Sequence, residues 1–107
     1  MKEDIKRLND WLAKNKSKIM AKLTEEVKAV MEAKTYGPFS NSIEKQRYFF
    51  WDQDGEFMVL HDLGCSEELV EVCMEIDDPD DNVMTQIVCE VLSNLGFEDW
   101  EIIEILN

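Results

Sequence analysis

The chain has 107 residues, of which 45% are hydrophobic, and a formal net charge of −13. This length supports one hydrophobic core, and the apolar content excludes a disordered acidic tail. No apolar run reaches the ~20 residues needed to span a bilayer, and no signal-type apolar segment follows the N-terminal lysines. We therefore expect one soluble, cytoplasmic domain comprising residues 1–107.

The charge is divided unevenly along the chain. Residues 1–47 carry all 11 Lys and Arg with 7 acids, whereas residues 48–107 carry 17 acids and no Lys or Arg. A stretch without cations projects a negative field that attracts basic proteins and repels nucleic acids. Solubility requires a net charge of magnitude only about 2 to 8 in a small domain. The pattern therefore favours electrostatic recognition of a partner.

The first predicted element is an amphipathic helix over residues 2–34, because apolar residues recur there at helical spacing. Its length also allows two helices in line, with a break near residues 15–17. Tyr36, Gly37 and Pro38 are expected to end it, since a residue that precedes proline is pushed out of the α region. The apolar face comprises Ile5, Leu8, Leu12, Ile19, Leu23, Val27, Val30 and Met31.

A β-hairpin is predicted next. Residues 47–52 and 56–62 are rich in aromatic and branched residues, and Asp54-Gly55 between them tolerates the positive φ of a two-residue turn. Both faces of this hairpin would be apolar. Either helices cover both faces, or one face is reserved for a partner.

Residues 68–77 fit two patterns. As a helix behind a Ser66 cap, they place Leu69 and Cys73 on one face; as a strand, they alternate apolar and acidic residues. We favour the strand, because a third strand would stabilise a hairpin that is marginal by itself. In both interpretations the acids gather on one face.

Two helices complete the chain. A turn over residues 77–82 precedes a helix over residues 82–95, which Asp80 or Asp81 would cap and Gly96 would end. A short helix over residues 98–106 follows, with Trp100, Ile103 and Leu106 inward. The predicted fold is thus α+β: a long N-terminal helix, a β-hairpin extended to a small antiparallel sheet, and two C-terminal helices. The expected core includes Trp51, Leu60, Val88, Leu92 and Trp100.

The sequence contains little that resembles catalytic chemistry. His61 is the one histidine; Cys65 lies four residues later, but no motif orients the imidazole or supplies an oxyanion hole. Cys65, Cys73 and Cys89 lack the close pairs of structural zinc sites and are expected to be free, buried thiols. We expect no enzymatic activity, no catalytic residues, no cofactor and no metal.

Calcium binding is also not expected. Asp78, Asp80 and Asn82 match the first three ligand positions of an EF-hand loop, but Val83 replaces the turn glycine and Cys89 replaces the final glutamate. The run is better interpreted as a solvated turn that caps a helix.

The basic stretch at residues 2–22, with seven cations and three acids, is the only candidate for direct binding to nucleic acid or to an anionic membrane. Such binding would have to overcome repulsion from the acidic part of the chain. These cations can instead contact the protein's own acidic half. We therefore expect no direct nucleic acid and no membrane among the partners.

The preferred function is that of a small acidic inhibitor that occupies a basic, nucleic-acid-binding surface of a partner protein. Carboxylates lie about 6 Å apart at i, i+4 on a helix and about 6.6 to 6.8 Å apart at i, i+2 on a strand, close to the spacing of phosphates along a nucleic-acid strand. The expected contact residues form an acidic cluster and an aromatic face: Glu68, Glu71, Glu75, Asp77, Asp78, Asp80, Asp81, Tyr48, Phe50 and Phe57.

In size and charge, though in no motif, the chain resembles phage anti-defence proteins of the anti-CRISPR or anti-restriction type, and immunity proteins that inhibit toxin nucleases. An alternative from a different class is a structural or assembly protein that forms a homodimer through its first helix. Salt distinguishes the two, because an electrostatic inhibitor loses affinity steeply as ionic strength rises and a hydrophobic helix dimer does not.

Overall fold

The computed structural model describes residues 2–76 and 82–107, and within these ranges the chain forms helices and no strand. A π-helical turn, Tyr48–Asp52, continues the second helix. The predicted α+β class is therefore wrong. In chain order the helices are α1 Lys2–Glu32, α2 Ser42–Arg47, α3 Gly55–Asp62, α4 Glu67–Glu75, α5 Val83–Asn94 and α6 Asp99–Leu106.

Helix α1 is the central element, since it packs against α2, α3, α4 and α5. The prediction of a long N-terminal helix is confirmed, and its 31 residues continue without a break at residues 15–17. The last turn contains no basic residue. The buried Lys45 of α2 takes that role, donating from Nζ to the carbonyl oxygens of Met31 at 3.2 Å and Ala33 at 2.7 Å.

The predicted hairpin is wrong: both of its strands are helical. Asp54 does have the positive φ expected of the Asp-Gly pair, at 50°, but it joins the π-helical turn to α3. Gly55 begins α3 beneath the ring of Phe49, which a Cβ atom at this position would overlap. Short apolar runs suit a strand or a buried helix equally. In the helical form, Phe49 and Phe50 are both buried, and their rings pack edge-to-face with centroids 4.9 Å apart.

The strand predicted over residues 68–77 is also wrong, and the helical alternative is confirmed up to Glu75. Ser66 accepts a 3.3 Å hydrogen bond from the Leu69 N–H at the start of α4, and Leu69 and Cys73 face the core. The third strand was favoured to support a hairpin that does not form. The predicted turn with Asp77, Asp78, Asp80 and Asp81 lies outside the described residues.

Helix α5 confirms the predicted helix over residues 82–95, with Asn82 at its N-cap, accepting from the Thr85 N–H at 3.1 Å. Gly96, with φ of 100°, follows its end. Asp80 and Asp81, the predicted caps, lie outside the described residues.

Helix α6 exists as predicted but presents a different face. Ile102 and Ile105 are buried, whereas Trp100 and Ile103 are 54% and 58% exposed. Of the three residues predicted inward, only Leu106 packs against the core, and it is half-buried. Eight residues fit either face on a helical wheel, so packing against neighbouring helices decided the rotation.

The core confirms Leu60, Val88 and Leu92 as buried, but the prediction is wrong for the two tryptophans: Trp51, like Trp100, is 54% exposed. Trp51 was placed inward by the hairpin that does not form. Across the described ranges, no helix combines the length and apolar composition needed to cross a membrane.

Candidate functional site

The outer face of α4 carries an acidic stripe, which we define as Glu68, Glu71 and Glu75. They are spaced three and four residues apart and all are exposed. Neighbours at these spacings lie on one side of a helix, about 5 to 6 Å apart. The other expected acids, Asp77, Asp78, Asp80 and Asp81, lie outside the described residues.

One member of the stripe has a cation beside it. The Arg7 guanidinium lies 3.3 Å from Glu68 Oε1 and 3.7 Å from Asp4, and Lys16 similarly lies 3.4 Å from Glu90. The expectation that cations of residues 2–22 can contact the protein's own acidic half is confirmed for Arg7 and Lys16, because folding brings α1 beside α4 and α5. Such exposed pairs contribute only about 0 to 1 kcal/mol. Within the described residues, no ion pair involves Glu71 or Glu75.

The expected aromatic face is split between two places. Tyr48 is half-buried and packs edge-on against Tyr36 at 5.7 Å and Phe39 at 5.9 Å. Phe50 and the half-buried Phe57 instead line a groove. Phe50 is only 4% exposed, so it offers little surface to a partner.

This groove, of about 660 Å³, lies among the π-helical turn and helices α3 to α6. Its walls are largely apolar and aromatic, and three of its side chains are about half exposed: Trp51, Met74 (50%) and Ile103. The groove was missed at the sequence level because Trp51 and Ile103 were assigned to the core. Its walls come from segments distant in the chain, so no local motif marks it.

Two carboxylates also line the groove, those of Asp54 and Glu56. Burial, and to a lesser extent the neighbouring charge of Asp54, raise the pKa of Glu56 to about 7. Among the described residues, no lysine, arginine or histidine forms an ion pair with Glu56. The groove thus combines apolar walls with a carboxylate that is costly to ionise.

The cysteines are free thiols. Cys65 and Cys73 are buried as predicted, whereas Cys89 is only half-buried; Cys73 and Cys89 both line the groove. Burial, followed by the charge of Glu56 and the influence of Cys65, raises the pKa of Cys73 to about 12. Thiols with raised pKa values are poor nucleophiles at neutral pH. His61 is exposed on α3, and within the described residues no three His, Cys, Asp or Glu side chains are grouped to hold a metal ion.

The acidic stripe and the groove meet on α4, where Met74 lies three residues after Glu71 on an adjacent part of the helix surface. No protein-family model, curated protein or solved structure matches the chain. The function must therefore be argued from the chemistry of this combined surface.

Proposed function

We propose that the protein is a small acidic inhibitor that binds the basic, nucleic-acid-binding surface of a partner protein. One observation carries this proposal: the exposed carboxylates of Glu71 and Glu75 have no ion pair within the described residues and share α4 with the half-exposed Met74 of the groove. Such an inhibitor of a nucleic-acid-handling protein would act in the cytoplasm. Thiols are kept reduced in that compartment, which agrees with the three free cysteines.

The charge distribution supports a basic partner. The 60 residues from 48 to 107 contain 17 acids and no Lys or Arg, and the ion pairs from α1 reach only Glu68 and Glu90 among them in the described structure. The other described acids of this stretch form no ion pair. On α4 the carboxylates repeat at about 6 Å, near the spacing of backbone phosphates, so a surface suited to phosphates also suits the stripe.

The groove supplies the second requirement of a specific interface. Long-range charge accelerates association, but affinity comes chiefly from a few buried aromatic or apolar residues surrounded by a polar rim. Trp51 and Met74 are residue types that interfaces favour. The Trp51 indole donates a hydrogen bond of 2.8 Å to the Ile105 carbonyl oxygen, so its ring is held in place before a partner arrives.

The alternative of a homodimer through the first helix has less support. Six apolar residues of α1 are buried against the chain's own helices, and these are Leu8, Leu12, Ile19, Leu23, Val27 and Val30. The exposed positions of α1 are mostly lysine, glutamate and alanine. A helical dimer needs an exposed apolar stripe, and the described part of α1 does not offer one.

Affinity capture from a lysate with immobilised protein, at about 50 and 500 mM salt, tests the proposal. The informative variant is Glu71→Lys with Glu75→Lys; the matched control is Glu25→Lys with Glu32→Lys, which changes the net charge equally at exposed positions of α1. Glu75 is the last residue of α4 and Glu32 is the last residue of α1, so the two variants also match in their position on the helix.

We expect wild type and the α1 control to retain a basic partner at low salt only, and the α4 variant to lose it. If the protein is instead an immunity protein, the captured partner would be a toxin nuclease, and its capture would depend on salt and on the α4 residues in the same way. Equal capture by all three proteins would contradict a role for the stripe.

A further inference from the structure

The chemistry of the groove indicates what kind of side chain it accepts. Asp54 and Glu56 are the only charged side chains among its described lining residues, and no lysine, arginine or histidine lines it. Trp51 and the half-buried Phe57 contribute aromatic surface, and Met74 and Ile103 contribute apolar surface. A groove of this kind is complementary to a ligand with an apolar body and a cationic end.

A cationic ligand in the groove would stabilise the ionised carboxylate of Glu56. It is partly buried, and no described residue donates a hydrogen bond to it or forms an ion pair with it. A carboxylate removed from water is stabilised strongly by an opposite charge at contact distance. An entering cation would therefore compensate a group that the folded chain leaves uncompensated.

Arginine fits this environment better than lysine. Its guanidinium is planar, less strongly hydrated than an ammonium, stacks on aromatic rings and bonds carboxylates with two parallel hydrogen bonds. The volume of about 660 Å³ falls within the ~300 to 1,000 Å³ of ordinary ligand pockets. It leaves room for apolar neighbours of the arginine as well.

We propose that the groove binds an arginine side chain of the partner, with the guanidinium at Asp54 and Glu56 and the flanking apolar residues against Trp51 and Met74. This assignment rests on the proposed function, because the arginine is taken to belong to the basic partner that the protein inhibits. It divides the binding surface into the stripe on α4, which attracts the partner, and the groove, which holds it.

Binding is coupled to proton release. The groups that face Glu56 are Asp54 before α3, Cys73 on α4 and Cys89 on α5. Both thiols have raised pKa values and stay neutral near pH 7. Glu56, with a pKa of about 7, is largely protonated at pH 6 and ionised at pH 8, and a guanidinium prefers the ionised form. Affinity for arginine should therefore rise over this interval.

The test uses two peptides, acetyl-Leu-Arg-Leu-amide and the same peptide with citrulline, which has nearly the shape of arginine without its charge. Each is titrated into the full chain at pH 8 and followed by ¹H–¹⁵N NMR, with the Trp51 indole N–H as the reporter. We expect the arginine peptide to shift this signal and to bind at least about tenfold more tightly than the citrulline peptide, as charge-assisted hydrogen bonds imply.

The variant Glu56→Gln should strongly reduce the difference between the peptides, because only Asp54 then remains to pair with the guanidinium. Glu104→Gln, an exposed site on α6 with the same change of charge, should retain the full difference. The NMR spectrum of each variant reports whether it is folded. Equal binding of both peptides, or an unchanged preference in folded Glu56→Gln, would overturn the assignment. If capture of a basic partner still depends on Glu71 and Glu75 in that case, the proposed function stands; if that dependence is also lost, both fail.

Discussion

The Nε1–H of Trp51 donates a hydrogen bond of 2.8 Å to the carbonyl oxygen of Ile105, linking the π-helical turn to the last turn of α6. Arg47 adds a second link, to the Glu104 carbonyl oxygen. Both acceptors are among the final carbonyls of α6, which have no partner within the helix. The bond therefore satisfies a helix end and fixes an exposed ring at the groove.

Replacing Trp51 by phenylalanine should separate these two roles. The ring surface is largely kept but the hydrogen bond is lost, so the free energy of unfolding should fall by about 0.5 to 1.5 kcal/mol in urea denaturation. The control, Trp100→Phe, removes only an exposed bond to the Glu98 carboxylate and should cost less. An equal fall in the free energy of unfolding in both variants would show that the hydrogen bond to Ile105 stabilises the protein no more than the exposed one to Glu98.

Lys45 should be a structural lysine. Replacing it by methionine keeps most of the apolar stem but removes the donor to the Met31 and Ala33 carbonyl oxygens. Loss of a charge-assisted bond at a buried site should lower the free energy of unfolding by about 1.5 to 3 kcal/mol. The exposed Lys34→Met serves as the control in the same urea titration, and a change below about 0.5 kcal/mol in Lys45→Met would contradict the capping role.

The inward face of the C-terminal helices can be tested by truncation. Leu92 is fully buried, so Leu92→Ala should destabilise the protein by about 2 to 5 kcal/mol. Ile103 is more than half exposed, and Ile103→Ala should cost less than about 1 kcal/mol. Thermal or urea unfolding gives both values. A reversed order would mean that α6 turns its other face to the core.

Glu56 should make stability depend on pH. Its folded pKa of about 7 lies above the ordinary value of 4.5, so the folded state binds the proton more tightly than the unfolded state does. This contribution is fully present below about pH 4.5 and is lost as the pH rises through about 7. Glu56→Gln should therefore melt higher than wild type at pH 8 and close to it at pH 4.5. The melting temperature across this range is the measurement, and a constant difference between the two proteins would exclude the raised pKa.

The helices that the sequence predicted correctly are long and strongly periodic. In α1, apolar residues from Leu8 to Val30 repeat on one face over 31 residues, and in α5 the residues from Met84 to Leu92 do so over 12. Such repeats leave one structure that buries the apolar face. The ends of these helices also followed local chemistry, as Gly96 after α5 shows.

The errors fall on short segments where two patterns fit. Residues 56–62 are apolar on both faces, so α3 shows almost no periodicity, and the Asp-Gly pair marks a left-handed residue without fixing what it joins. The acidic stripe survived the change from strand to helix because Glu71 and Glu75 share a face in both. The groove was unpredictable, since Trp51, Glu56, Met74 and Ile103 belong to segments distant in the chain that are brought together only by the packing of the helices.

Attraction of a basic partner by the α4 stripe should be visible in the association rate of that partner once it has been captured. Rim charges act mainly on association and its salt dependence. Stopped-flow measurements from about 50 to 500 mM salt should show Glu71→Lys with Glu75→Lys associating at least about tenfold more slowly than wild type at low salt, with a flatter salt dependence. Glu25→Lys with Glu32→Lys should stay near wild type. Identical association rates and salt dependences in all three proteins would contradict a role of the α4 stripe in attracting the partner.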